Sequence, residues 1–368
     1  MRKSVLAIIA ATSIFLLDPI LEARAQDWQA GGGAPWANLL TSAKKEGKVV
    51  VAGPPQLARV LADEFKKDTG IDLEYLGGNA RDLSARFDRE AAAGMPSIDV
   101  LLSGGDGFFT VYAQGQLKPI KSQLMLPGVT DGKNWLPGDL KWVDGDRSFY
   151  LQGTNWVFGW PVANSNLVKS DSFTNWRDLL KPEFKGKIAS IDIASPGPGR
   201  ALGSYLLKQF GPDFMKQLFI TQEVVFTRDG RQLVDWVTRG SYSVALGAVP
   251  SDVEYFRSRG IRHLDVPQMN DGAGAVLGGF SVLRQPKGNP HPDAATVFTN
   301  WYASRPGQIA FSRAMLEPSG RVDANLADIP EYVKLKPGVS YFDQYRQDFI
   351  TGERTKLEES VVQLLGGR

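Results

Sequence analysis

From Lys48 to Leu102 the chain changes hydrophobic period again and again, and this rhythm limits its fold more than any other feature. Val49-Val50-Val51-Ala52 is a short unbroken apolar run. Leu57, Val60, Leu61 and Phe65 then recur at helical spacing, and Gly70 fits the stop. Ile71, Leu73 and Tyr75 alternate with polar residues; Leu83, Phe87 and Ala91 return to the helical period; Ile98 to Leu102 is apolar again. A third helix is expected over Phe108 to Ala113. Continuous apolar strands separated by amphipathic helices predict an α/β fold, with a mostly parallel sheet covered by helices on both faces.

The rhythm resumes at Ile188. Ile188, Ile191 and Ile193 read as a strand, Ser195-Pro196-Gly197-Pro198-Gly199 as a turn, and Ala201, Leu202, Tyr205, Leu206 and Phe210 as one helix face. Gly211-Pro212 stops that helix. A helix near Asp213 to Phe219, a strand at Val224 to Phe226, a helix at Arg231 to Val237 and a strand at Val244 to Gly247 follow. Val276 to Leu283 reads as one later strand. The remainder reads as mostly helical, with Ala294, Val297, Phe298 and Trp301 on one face.

Other features narrow the class. Arg2 and Lys3, the apolar run Val5 to Leu17 and Ala23-Arg24-Ala25 have the form of a secretory signal peptide over residues 1–25. The chain has no cysteine, which excludes disulfides, thiolate chemistry and lipidation of a mature N-terminal Cys. Its net charge of +2 gives no footprint for nucleic acid. The two histidines, His263 and His291, have no nucleophile beside them in sequence, and no spacing suggests a metal site. Asp144-Gly145-Asp146 reads as a turn. No catalytic group and no cofactor is expected.

In open α/β sheets, ligands sit beyond the C-terminal ends of the strands. Such ends here are Gly53-Pro54-Pro55-Gln56, Ser103-Gly104-Gly105-Asp106 and Ser195 to Arg200. The last is the best anion site by chemistry. Helix N-termini carry unpaired N–H groups and the positive end of the dipole, and Gly197, Gly199 and the Ser195 hydroxyl allow close approach. Asp106 doubles as a candidate helix cap. Arg200 and Arg231 have the geometry to clamp a carboxylate or phosphate.

Three blocks carry a family resemblance. SIDVLLSGGDGFFTVYAQGQLKPI, VANSNLVKSDSFTNWRDLLKPEFKGKIASIDIASPGPG and RQLVDWVTRGSYSVALG resemble successive blocks of type II periplasmic solute-binding proteins, closest to the ferric-binding-protein branch. Trp176-Arg177-Asp178-Leu179-Leu180 followed by Phe184-Lys185-Gly186-Lys187-Ile188 is the most specific part. The resemblance implies two α/β lobes joined by crossing strands, a small-molecule ligand between them, delivery to an ABC transporter permease, and no catalysis. It implies a periplasmic monomer with lobe 1 over 26–153 and again 275–312, lobe 2 over 154–274, and a C-terminal helical segment over 313–368.

Family position adds Pro54, Gln56, Ser103, Gly104, Trp156 and Asp229 to the expected cleft. In the ferric members a tyrosine pair follows the strand matched by Val244 to Gly247. Here Ala248-Val249-Pro250-Ser251 stands there, and small Ala248 leaves room for an organic ligand. The expectation is a receptor for a small organic solute bearing a carboxylate or phosphate. The alternatives are a ferric or iron-chelate receptor without the tyrosine pair, a ligand sensor for a membrane kinase, and an enzyme on the same fold.

Overall fold

The computed structural model describes residues 27–104, 109–136, 138–324 and 326–366. The signal-peptide reading therefore lies outside the described residues. Ahead of the first strand lies helix α1 (Gly33–Glu46), docked by buried Trp36, whose ring meets Trp28 edge-on at 5.7 Å. Strand β1 (Lys48–Gly53), helix α2 (Ala58–Thr69), β2 (Asp72–Gly77), α3 (Ala80–Ala92) and β3 (Val100–Ser103) then realise the sequence rhythm. Side chains alternate across a strand, so one sheet serves two cores. Val49, Val51, Val100 and Leu102 pack with Leu61 and Phe65 of α2. Ala52 and Leu101 face the other way, with Leu83, Phe87 and Ala91 of α3. The expected helix over 108–113 is a single turn, Thr110–Ala113, where described.

Short strands β4 (Lys141–Trp142) and β5 (Leu151–Gln152) lead to β6 (Trp156–Phe158) and β7 (Val162–Asn164). The second βα rhythm is β8 (Ile188–Ile191), α4 (Pro198–Lys216), β9 (Val225–Thr227), α5 (Gly230–Thr238) and β10 (Val244–Leu246). Helix α4 breaks where the sequence places its stop, with Gly211 at φ 81°, ψ 174° ahead of Pro212. Then come α6 (Pro250–Arg257), β11 (Leu264–Asp265), β12 (Ala275–Leu277), β13 (Val282–Arg284), α7 (Pro292–Ala303) and α8 (Arg305–Met315). The last stretch is less helical than expected, because strand β14 (Phe342–Asp343) and irregular chain precede α9 (Arg354–Leu364).

Three sheets result, ordered β2-β1-β3-β13-β5-β4, β11-β7-β10-β8-β9 and β14-β12-β6. The fold is α/β and two-lobed, but each large sheet is mixed. Three strands are parallel (β1 with β2 and β3; β8 with β9 and β10), and the rest pair antiparallel. A chain that leaves one sheet and later returns beside its own exit must run antiparallel to it. So β13 pairs antiparallel with both β3 and β5.

The register locates the crossing. Gln152 pairs with Val282 in the first sheet, and Trp156 pairs with Leu277 in the third. Residues 153–155 and 278–281 therefore pass side by side between sheets. The Gly153 N–H donates to the Ser281 carbonyl (3.2 Å), and the Thr154 N–H donates to Ser281 Oγ (2.9 Å). This corrects the single strand read over Val276 to Leu283. Gly278 and Gly279 interrupt it, Gly279 at φ 51°, and the Ser281 N–H closes a turn on the Gly278 carbonyl at 3.0 Å.

Candidate functional site

The candidate site is the set of strand ends and crossing segments where the two lobes meet. On the first lobe, Pro54 is buried, and its carbonyl accepts from the Tyr75 hydroxyl at 2.8 Å. Gln56 is exposed in the turn that follows β1. Ser103 faces inward, accepting a 2.9 Å hydrogen bond from the fully buried Arg284. Gly104 reaches the crossing, where a Cβ would stand 3.2 Å from the Gly279 carbonyl and 3.5 Å from the Tyr345 hydroxyl. Asp106 lies outside the described residues.

On the second lobe the β8–α4 turn is built around Asp192. Its carboxylate accepts from Ser195 Oγ (2.8 Å), the Ala194 N–H (3.1 Å) and Arg228 Nε (3.0 Å). Burial pushes this carboxyl up, but the hydrogen bonds from Ser195 and Arg228 outweigh it and hold the group below its usual value. The two turn glycines differ in kind. Gly197, at φ 83°, is exposed, with no atom within 4 Å of where a Cβ would sit. Gly199 is buried, and its Cβ would fall 2.0 Å from the Asp192 carbonyl oxygen. Gly197 is the open position, whereas Gly199 is required by packing.

The two arginines expected as clamps already have partners. Arg200 reaches the Ala194 carbonyl (3.3 Å) and Glu358 of α9 (3.2 Å). Arg231 pairs with Asp252 (2.7 Å) and stacks on Tyr255, its guanidinium 3.6 Å from the ring centre. Burial raises Asp252 above its usual value, with the Arg231 bond opposing. Asp229 caps α5 by accepting from the Gln232 N–H at 3.1 Å. Arg228, which flanks Asp229 in sequence, also stands on this rim, its side chain 80% accessible and its Nε paired with Asp192.

Trp156 and Ala248 are brought together. With Phe158, Trp160, Val253 and Tyr332 they wall an apolar cavity of about 10 Å³, room for a single water. Trp156 Nε1 is buried without a hydrogen-bond partner. A wider hollow of about 470 Å³ lies elsewhere on the second lobe, lined by Arg177, Asp178, Phe210 and Asp271 among others. Its acids already accept backbone N–H groups, Asp178 from Asn175 and Asp271 from Trp176.

Sequence reasoning missed the residues at the crossing itself: Thr154, Gly278, Gly279, Glu317 and Tyr345. The paired glycines inside an apolar run were a readable break signal. Glu317 carried none, because nothing local says that Glu317-Pro318-Ser319 returns to bridge Thr154. The histidines serve structure: His291 Nδ1 pairs with Asp99 at 2.7 Å and His263 Nε2 with the Thr238 carbonyl at 3.0 Å. Asp144 holds its turn by accepting the N–H groups of Ser148 and Tyr150, each at 2.8 Å. Among the described residues no group of three or more His, Cys, Asp or Glu could hold a metal ion, and no helix is long and apolar enough to cross a membrane.

Solved structures share this architecture. Apo ferric ion-binding protein A of Pasteurella haemolytica superposes with a TM-score of 0.67 at 15% identity, covering 88% of this chain and 99% of its own. Iron-bound HitA of Pseudomonas aeruginosa gives 0.62 at 16%, over 85% and 99%. AfuA of Actinobacillus pleuropneumoniae, with fructose-6-phosphate bound, gives 0.63 at 18%, over 87% and 98%. At these identities the likeness is one of fold. No curated protein matches the chain significantly. The model of the bacterial extracellular solute-binding protein family matches residues 52–309, both βα rhythms and both crossing segments, and the chain belongs to that family.

Proposed function

We propose that this protein is a periplasmic receptor, exported by a cleaved leader over residues 1–25, that closes on a small organic solute bearing a carboxylate or phosphate. It hands the solute, as a monomer, to an ABC transporter permease and performs no catalysis. In this reading lobe 1 spans 26–153 and resumes after the second crossing at 278–281 to run to 312, lobe 2 spans 154–277, and residues 313–368 pack on both. The observation that carries the anion is the β8–α4 turn: Gly197 opens to solvent at the start of a long helix, with the Arg228 cation on the same rim. Ser195 and Gly199 shape that turn. Trp156 and Ala248 offer an apolar wall, and Pro54, Gln56 and Gly104 close from the first lobe. The sugar phosphate in the AfuA structure supports an organic anion on this fold.

Bare ferric iron is the weaker reading. After β10 the chain offers Ala248-Val249-Pro250-Ser251, and Tyr255, the nearest phenol in sequence, stacks between Arg231 and Arg259 at 3.6 and 3.4 Å. Two guanidinium cations beside the one phenol make this an unfavourable place for a ferric ion.

Native mass spectrometry of protein purified from a bacterial periplasm tests the proposal. The expected result is an added mass, lost on unfolding, that fragments as an organic acid or phosphate ester. Release of ferric iron with no organic component, together with a visible phenolate-to-iron band, would overturn it.

A further inference from the structure

Glu317 is the least expected charge in the molecule. It is only 6% exposed, yet among the described residues its carboxylate has no cation within ion-pair reach. Among the described residues its one hydrogen-bond partner is the Thr154 hydroxyl, 2.7 Å from Oε2. It touches both crossing segments at once: Thr154 on the first, and Gly279 on the second, where a Cβ would stand 2.2 Å from Oε1.

Thr154 has one hydroxyl proton and two acceptors in reach, Glu317 and the Gly278 carbonyl at 3.3 Å. A neutral Glu317 satisfies both contacts: its carboxyl O–H donates to Thr154 Oγ1, and Thr154 donates onward to Gly278. An ionised Glu317 claims the hydroxyl proton for itself and remains a buried, unpaired charge, which is costly.

We propose that Glu317 is held neutral in this arrangement and acts as a proton-sensitive latch between the crossing segments, so that loss of its proton favours an opened cleft in which water reaches the carboxylate. The proposal rests on the reading above that the lobes move about these crossings. The titratable and charged groups that face Glu317 are few. Tyr302 on α7 donates to the Ser281 carbonyl at 2.6 Å and is kept neutral by burial. Tyr345 after β14 donates to the Gly279 carbonyl at 3.1 Å. Arg321, on the same segment as Glu317, is paired with Asp323 at 2.8 Å. Burial, opposed only by the Thr154 bond, pushes the Glu317 carboxyl up to about 8.

Two measurements on the ligand-free full chain test this. Infrared spectroscopy should show a protonated carboxyl band at about pH 6 that fades through about pH 8 and is missing from Glu317→Gln. Small-angle scattering should show a larger radius of gyration above that transition, whereas Glu317→Gln keeps the smaller radius at both ends. Thr154→Val removes the bond that opposes burial and should raise the transition, and Thr154→Ser should restore it. An ionised Glu317 at about pH 6, or a radius that responds to pH equally in parent and Glu317→Gln, overturns the latch. So does a spectroscopic transition with no change of radius. If label distances show the lobes moving on ligand release while the pH series shows nothing, this inference alone fails and the receptor reading stands.

Discussion

Asp99 shows how much one side chain can hold in this fold. It is fully buried and accepts the Val50 N–H, the His291 N–H and His291 Nδ1, each at 2.7 Å. It therefore ties β1 to the start of α7, elements far apart in sequence. Asp99→Ala would leave these donors without an acceptor, and a loss of about 3 kcal/mol or more is expected from urea unfolding. Asp99→Asn, which keeps one acceptor oxygen, should lose less; equal losses would mean the site is held by packing alone. Glu317 predicts a pH effect of known sign. Its folded-state value is raised, so the native protein keeps a proton that the unfolded chain releases. Stability should therefore fall by about 1.4 kcal/mol per pH unit as pH rises from the unfolded value near 4.5 to about 8, and then level off. Glu317→Gln should lack that slope, and matching slopes in pH-resolved unfolding curves would contradict it.

Elements were legible where one period ran long enough to bury a face. The β1-α2-β2-α3-β3 rhythm is visible because α2 and α3 each present a regular apolar stripe to opposite sides of one sheet. Pairing between distant segments was not legible. β14 is two residues long, and nothing in Phe342-Asp343 itself announces a strand beside β12. The mixed sheets escaped for the same reason, since strand direction depends on where the chain re-enters. Of the residues expected in the cleft, Trp156 and Ala248 share a cavity. Sequence position gave Arg200 and Arg231 ligand roles although partners remote in sequence, Glu358 and Asp252, hold them. The β8–α4 turn supplies a test at this scale. Gly199→Ala drives a methyl into the Asp192 carbonyl and should cost about 1–3 kcal/mol of stability, read from thermal unfolding. Ser195→Ala removes one hydrogen bond to Asp192 and should cost only about 0.5–1.5 kcal/mol. A Gly199→Ala variant as stable as the parent would show that the turn relaxes freely and that packing does not dictate this glycine.

Across the whole molecule, the lobes are joined side by side at 153–155 and 278–281, with the 317–321 segment bridging at Thr154 and Ser319. Each lobe has its own buried core. Motion should therefore concentrate at the crossing, with each lobe moving as a unit. A ligand shifts such an equilibrium only by contacts that it makes better in one state, here contacts to both faces at once. Because the chain has no cysteine, two introduced ones report on this cleanly. Arg59 on α2 and Arg239 at the end of α5 suit spin labels, with side chains 93% and 74% exposed. Each gives up only a surface ion pair to the residue four away, worth well under about 1 kcal/mol. The comparison is between Arg59→Cys/Arg239→Cys protein as purified from the periplasm and the same protein stripped of ligand by unfolding and dialysis. Pulsed dipolar spectroscopy should give a shorter, narrower distance distribution before stripping and a longer, broader one after it. Returning the dialysed small-molecule fraction should restore the first. Identical distributions, in a sample whose bound mass was seen to leave, would mean that ligand is held without closure, and the crossing would then be a rigid strut.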